Sequence, residues 1–169
     1  MPTVRLPTAD RRIEEYRLGP ASPFPARASG EFPRIAYAAA HVVADPLADT
    51  APWQRSAVDW DATMAFRRHL WGLGFKIAEA MDTSQRGMGL DWPGARELIR
   101  RSHAEARTIE GADLACGVGT DQIAPGGTLD EVRRAYEEQL EVVEAEGGRA
   151  ILMASRALVQ AARSADAYL

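Results

Sequence analysis

The sequence predicts an α/β fold in which parallel strands alternate with helices, and two observations support this prediction. Four short apolar runs begin at positions 34, 75, 112 and 149 and therefore recur at a nearly constant spacing. Each run is followed by polar residues and then by apolar residues at helical spacing, which is typical of βα units on a parallel sheet. Because a closed barrel of eight such units needs ~250 residues, we interpret the chain as the first four units of a TIM (βα)8 barrel.

The four apolar runs define the predicted strands. Their apolar residues are nearly continuous rather than alternating, so we expect strands that are buried on both faces. The predicted strands are Arg34–Val43, Phe75–Met81, Ala112–Cys116 and Arg149–Ala154.

The first two predicted helices follow strands one and two. Helix one runs from Asp61 to Leu73 and helix two begins after Asp91, with Pro93 in its first turn. For helix one, the spacing predicts a buried face made of Ala62, Ala65, Phe66, His69, Leu70 and Leu73. For helix two, it predicts one made of Ala95, Leu98, Ile99, Ser102 and Ala106, with His103 in solvent.

The third helix has the clearest boundaries. Thr128 and Glu131 form a predicted capping box at its start, and Gly147-Gly148 ends it. Its predicted apolar stripe consists of Val132, Ala135, Tyr136, Leu140 and Val143. A fourth helix is expected from about Ala157.

Residues 1–33 differ in composition from the rest of the chain. Val4–Leu6 and Ile13–Leu18 flank a turn and predict a small β-hairpin, and Gly19–Gly30 is a Pro-, Ala- and Gly-rich linker. We therefore divide the chain into a hairpin and linker over residues 1–33 and a four-unit half-barrel over residues 34–169.

Composition restricts the classes of function. The chain is 46% hydrophobic and 26% charged with a net charge of −4, which provides no basic surface for nucleic acid or anionic membranes. It has no signal-peptide pattern and no apolar run of membrane-spanning length. Its single cysteine, Cys116, excludes an internal disulfide, and we expect this thiol to be a small buried group. These features predict a cytoplasmic protein.

Polar residues follow each predicted strand, and this pattern predicts a site at the carboxyl ends of the strands. The second strand is followed by the densest group of donors and acceptors in the chain, and it also contains a carboxylate, Glu79, inside its apolar run. A buried carboxylate is costly unless it is paired, so Glu79 is either an ion-pair partner, for instance of an arginine, or a functional group. The candidate catalytic residues are His41, Glu79, Asp82 and Asp121, and the candidate substrate-binding residues are Thr83, Ser84, Gln85, Arg86 and Arg156.

Two kinds of chemistry fit this residue set. In the first, a lyase-like protein without a cofactor, Thr83, Ser84 and Arg86 bind the carboxylate of a small substrate. His41, Glu79 and Asp121 are then the candidate acid-base groups. In the second, His41, Glu79, Asp82 and Asp121 bind a divalent metal ion in a lyase or hydrolase. Gly117-Val118-Gly119 does not begin a dinucleotide-binding motif, because Gln122 stands where the third glycine is needed.

Much of the chain resembles an uncharacterised bacterial family described as dihydrodipicolinate-synthase-like TIM-barrel proteins. The resemblance extends from about Val4 to Leu169 but covers only the first half of such a barrel. The segments that carry it are Phe32–Asp49, Asp59–Trp71, Glu79–Trp92, Gly111–Gly117 and Ile151–Ala157.

The resemblance implies an aldolase-like lyase that acts on a keto acid such as pyruvate. In that superfamily a Thr-Thr pair after strand two holds the keto-acid carboxylate, and Thr83-Ser84 occupies the similar place. The superfamily's tyrosine on strand five and Schiff-base lysine on strand six lie on strands that this chain does not contain. Lys76, its only lysine, begins strand two and is expected roughly 15–20 Å from the carboxyl-end rim.

A four-unit sheet leaves two unpaired edges, so we expect self-association or completion by a C-terminal half-barrel. If the chain keeps the fold but not the chemistry, a third interpretation applies, namely a non-catalytic fragment or assembly module.

Overall fold

The computed structural model describes residues 2–24, 30, 33–51, 57–124 and 126–168, so part of the predicted linker, residues 25–29, lies outside the described residues. The strands are β1 (Thr3–Pro7), β2 (Ile13–Arg17), β3 (Tyr37–Ala39), β4 (Lys76–Glu79), β5 (Leu114–Val118) and β6 (Arg149–Leu152). The helices are α1 (Trp60–Gly72), α2 (Trp92–Ala106), α3 (Leu129–Ala145) and α4 (Arg156–Ala161), with 3-10 turns at Asp82–Ser84 and Ala165–Tyr168.

The strands form two sheets. β1 and β2 make the predicted antiparallel hairpin, and β3 to β6 make a parallel sheet in chain order. The mixed α/β class, the parallel βα sheet and the hairpin are therefore confirmed, whereas a TIM barrel stays a prediction. No helix in the described ranges is both long and apolar enough to span a bilayer.

The core lies between one face of the sheet and helices α1, α2 and α3. Ile77 of β4 is in register with Leu114 of β5, and both pack into this layer. Leu98 and Ile99 of α2 are fully buried there, as the spacing of helix two predicted. Cys116 is also fully buried, and burial raises the pKa of its thiol.

The two edge strands correct the prediction that all four strands are buried on both faces. The predicted run Arg34–Val43 contains only three strand residues, Tyr37–Ala39, and β6 is mostly exposed. Leu152 of β6 is 71% exposed. The central strands β4 and β5 are buried because each has a neighbour on both sides and helices on one face.

The buried face of α1 is rotated from the predicted one. Its buried residues are Thr63, Met64, Arg67 and Trp71, whereas His69 is exposed and was wrongly predicted to lie in the core. The reason is electrostatic, because Arg67 is fully buried and donates to both oxygens of Glu79, from Nε at 2.9 Å and from Nη2 at 2.8 Å. Apolar periodicity could not reveal a helix face whose centre is an arginine.

Two further helix positions also differ from prediction. His103 on α2 is 7% exposed rather than solvated, and its Nε2 lies 3.5 Å from the sulfur of Cys116. On α3 the capping box of Thr128 and Glu131 is confirmed. Leu140 is 38% exposed, however, and its neighbour Gln139 is fully buried in the direction of β5.

The pair formed by Arg67 and Glu79 should stabilise the fold strongly. We expect Glu79→Gln to lower the free energy of unfolding by about 3–5 kcal/mol, because it leaves the Arg67 charge buried without its anion. Urea denaturation measures this loss. The matched control is Glu105→Gln, which breaks the exposed pair with Arg68 and should cost less than ~1 kcal/mol. Equal losses for the two variants would contradict a stabilising role of the buried pair.

Acid should destabilise the protein through His103. Burial lowers the pKa of His103 below its ordinary value of 6.5, although the nearby Glu146 opposes this shift. Between the lowered pKa of His103 in the folded protein and 6.5, the unfolded chain therefore binds a proton that the folded protein does not, so the free energy of unfolding decreases as the pH is lowered. We expect the free energy of unfolding of His103→Gln, measured by chemical denaturation, to decrease less than that of the wild type between about pH 7.5 and 5. His69→Gln, at an exposed position, should keep the wild-type slope, and an unchanged slope in His103→Gln would refute the assignment.

Candidate functional site

The loop between β4 and α2 begins with a strained residue. Ala80 is fully buried and has a φ of +51°, a left-handed conformation that costs an alanine about 1 kcal/mol or more. Its N–H donates to Glu79 Oε1 at 2.9 Å, and its carbonyl accepts from Arg86 Nη1 at 3.1 Å. The chain therefore leaves the sheet at a point that is fixed on both sides by a buried charged residue.

Arg86 is the centre of a polar network at the carboxyl ends of β4 and β5. Its Nη1 donates to the carbonyls of Ala80 and Gly117, and the Gly117 bond is 2.7 Å long. Its Nε and Nη2 donate to the two oxygens of Asp121. Nη2 also donates to Gln139, so all five N–H groups of the guanidinium are hydrogen-bonded within the chain. The Arg86 side chain is 2% exposed.

Gln139 connects this network to α3. Its Oε1 accepts from Arg86 Nη2 and from the backbone N–H of Gly119, each at 2.6 Å. Its Nε2 donates to Asp121 Oδ1 at 2.9 Å and to Gln122 Oε1 at 2.6 Å. A single buried carboxamide therefore holds together the loops that follow β4 and β5.

The charge state of Asp121 follows from these contacts. Burial raises the pKa of this carboxyl, but the hydrogen bonds from Arg86 and Gln139 outweigh burial and hold the pKa below its usual range. Trp92 covers Arg86, with its ring centre 5.5 Å from the guanidinium carbon. Gly117 is required where β5 passes this site, because a Cβ there would lie 2.8 Å from the Ala80 carbonyl oxygen.

Glu79 lies apart from this rim. Its side chain enters the helix layer, where Oε2 accepts from Arg67 Nε and, at 2.6 Å, from Ser102 Oγ on α2. Arg67 also donates to the carbonyl of His41 at 2.6 Å, so this pair holds the end of β3 against β4. Of the two interpretations of Glu79, the structure has the ion pair with an arginine.

The turn Asp82–Ser84 carries the predicted substrate-binding group. Asp82, Thr83 and Gln85 are exposed, and their side chains have no hydrogen bond to another described residue. Ser84 is buried and donates to the carbonyl of Met81 at 2.6 Å. Gln85 has a φ of +69°, which closes the turn and directs the chain toward Arg86.

The remaining candidates lie at the ends of the other strands. His41 is exposed, stacks on Phe66 at 4.8 Å between ring centres, and contacts the Val42 carbonyl through Nδ1 at 3.0 Å. Arg156 is exposed at the start of α4, next to Ser155, which shares a 2.5 Å hydrogen bond with Thr120.

The candidates therefore divide into groups. Arg86 and Asp121 are brought together, Glu79 is instead held by Arg67 and Ser102, and the exposed residues follow β3, β4 and β6. Within the described ranges, no three His, Cys, Asp or Glu side chains form a group able to hold a metal ion. The metal alternative therefore has no ligand set in that part of the chain.

Sequence reasoning missed Arg67 and Gln139, the residues that organise this end of the sheet. Both lie on helices at positions that face the sheet, and each is a long polar side chain within an otherwise buried stripe. For Arg67 the sequence did contain a signal. Glu79 lies in an apolar strand, where a carboxylate is costly unless it is paired, and Arg67 lies on the helix that directly precedes this strand.

Comparison with known proteins identifies a family but no activity. A family model described as "Protein of unknown function (DUF993)" matches residues 4–169. None of the curated proteins matches the chain.

Removing the Gln139 carboxamide should destabilise the loops after β4 and β5 more than the strands themselves. We expect Gln139→Met to cost about 2–3 kcal/mol, since it leaves buried polar partners unsatisfied. Amide hydrogen exchange should quicken in residues 82–90 and 119–124 before it does in β4 and β5. Gln160→Met, at an exposed position of α4, is the control and should change neither quantity. Uniformly faster exchange over the whole sheet in Gln139→Met would contradict a local role.

Proposed function

We propose that this chain, which belongs to the DUF993 family of proteins of unknown function, is part of an aldolase- or lyase-like protein that binds a small carboxylate-bearing substrate. The proposal places the substrate at the carboxyl ends of β3, β4 and β5. The main support for the proposal is the turn after β4 and the residue that follows it, where Asp82, Thr83 and Gln85 are exposed polar groups.

A rigid support makes this turn suitable for binding. The turn lies between Glu79, held by Arg67, and Arg86, held by Asp121 and Gln139. Binding residues are commonly found on loops that a rigid scaffold positions, and here the scaffold is a pair of buried charge networks. The exposed side chains can therefore meet a ligand without reorganising the sheet.

The proposed roles follow from side-chain chemistry. The hydroxyl of Thr83 donates a hydrogen bond to the substrate carboxylate, and His41 and Asp82 transfer protons at the neighbouring strand ends. Lys76 takes no part, because it begins β4 at the opposite end and its Nζ lies 2.5 Å from Asp113 Oδ2. A Schiff-base step would therefore need a lysine from outside this chain.

A non-catalytic assembly module is the second candidate. It is favoured by the use of Glu79, Ser84, Arg86 and Asp121 in internal hydrogen bonds. In this alternative the exposed turn binds no small carboxylate.

Completion of the sheet is part of the proposal. β3 and β6 each have one neighbouring strand in the described sheet, and Leu152 on β6 and Val159 on α4 are 71% and 63% exposed. Four more parallel strands, from further sequence or from a second copy, would cover these groups and pair both edges.

Pyruvate binding tests the site. We expect Thr83→Val to weaken pyruvate binding about 10-fold, the loss of one hydrogen bond to a charged group. Calorimetric or NMR titration measures this change, and Thr108→Val, at the exposed end of α2, is the control. Absence of binding to the wild type would favour the assembly module, and equal affinity of wild type and Thr83→Val would reject the assigned role of Thr83.

Light scattering tests completion of the sheet. We expect the 169-residue chain to self-associate, and Leu152→Arg to shift it toward smaller species because a charge at the β6 edge opposes strand pairing. Leu47→Arg changes a leucine that is 93% exposed in a loop and should have no such effect. A stable, monodisperse wild-type monomer would contradict the proposal.

A further inference from the structure

The contact between Arg86 and Asp121 has the geometry of a carboxylate-binding site that is already filled. The Nε and Nη2 groups of Arg86 face the two carboxylate oxygens, with Nε 3.3 Å from Oδ2. Gln139 Nε2 adds a third donor to Oδ1 at 2.9 Å. Three donors converging on one planar anion constitute the arrangement by which proteins bind carboxylate ligands.

The guanidinium is positioned independently of Asp121. Its Nη1 group is held by the carbonyls of Ala80 and Gly117, and its Nη2 also donates to Gln139. The ring of Trp92 covers it at 5.5 Å. Removal of the aspartate would therefore leave the Nε–Nη2 edge in place and without an anion.

The anion lies on the solvent side of the pair. The Arg86 side chain is 2% exposed and that of Asp121 is 20% exposed. Asp121 also lies in the turn after β5 rather than in the strand, and this turn is exposed at that residue. A carboxylate from solution could replace it, with Asp121 moving outward into water.

We propose that Asp121 occupies a carboxylate-binding site formed by Arg86 and Gln139, and that the carboxylate of a small ligand exchanges with it. This inference rests on the proposed function, because it assigns a second contact for the substrate carboxylate beside Thr83. Small monocarboxylates fit the site, since they match the charge and the two-oxygen geometry of the side chain they replace. Chloride supplies the charge but not the paired oxygens.

Chemical rescue tests the exchange. Asp121→Ala should be destabilised by the unpaired Arg86, and about 100 mM acetate should raise its thermal midpoint by roughly 3 °C more than chloride at the same ionic strength. Asp121→Asn keeps a side chain in the site and should show a smaller acetate effect. The double variant Arg86→Gln/Asp121→Ala lacks the cation and should show none. Equal effects of acetate and chloride on Asp121→Ala would overturn the proposal.

A measurement on the wild type keeps the proposal testable if Asp121→Ala does not fold. The side-chain Nε–H resonance of Arg86 should shift saturably with acetate and not with chloride, and an unchanged resonance would overturn the exchange. The two proposals can fail separately. Thr83-dependent pyruvate binding with an unchanged Arg86 resonance would reject only the exchange, whereas acetate rescue without Thr83-dependent binding would reject only the role of the exposed turn.

Discussion

The buried pair between Arg67 and Glu79 is the interaction on which the arrangement of this protein depends. Both side chains are fully buried, and transferring two charges from water is costly unless each is fully hydrogen-bonded. The pair meets that condition only when α1, α2, β3 and β4 are correctly placed, because Ser102 and the carbonyls of Ala40 and His41 complete it. An incorrectly packed helix layer would leave a charge without partners.

Arg86 repeats the same principle one strand along the sheet. Arg67 donates to Glu79 and to carbonyls after β3, whereas Arg86 donates to Asp121 and to carbonyls at the ends of β4 and β5. Charge-assisted hydrogen bonds therefore hold the loops that follow these three strands. Within the described ranges, every buried side-chain nitrogen or oxygen has a partner. The consequence is a hydrogen-bonded frame at the carboxyl ends of these strands, beside which Asp82 and Thr83 are exposed.

Local signals explain what the sequence could predict. The hairpin, the capping box at Thr128 and the apolar face of α2 each depend on residues close in sequence, and all three were predicted. The face of α1, the burial of His103 and the role of Gln139 depend on distant partners, namely Glu79, Cys116 and Asp121, and were missed. The candidate site residues other than Glu79 follow strands as the sequence predicted. Position at a strand end, however, could not distinguish a side chain used in internal hydrogen bonds from one that faces solvent.

The most direct test of the account is a crystal structure of the protein with bound pyruvate. We predict pyruvate at the carboxyl ends of β4 and β5, with its carboxylate within hydrogen-bond distance of Thr83 Oγ1. Pyruvate bound instead at the opposite end of the sheet, beside Lys76 and Asp113, would contradict the central claim that the frame held by the two arginines carries the functional site.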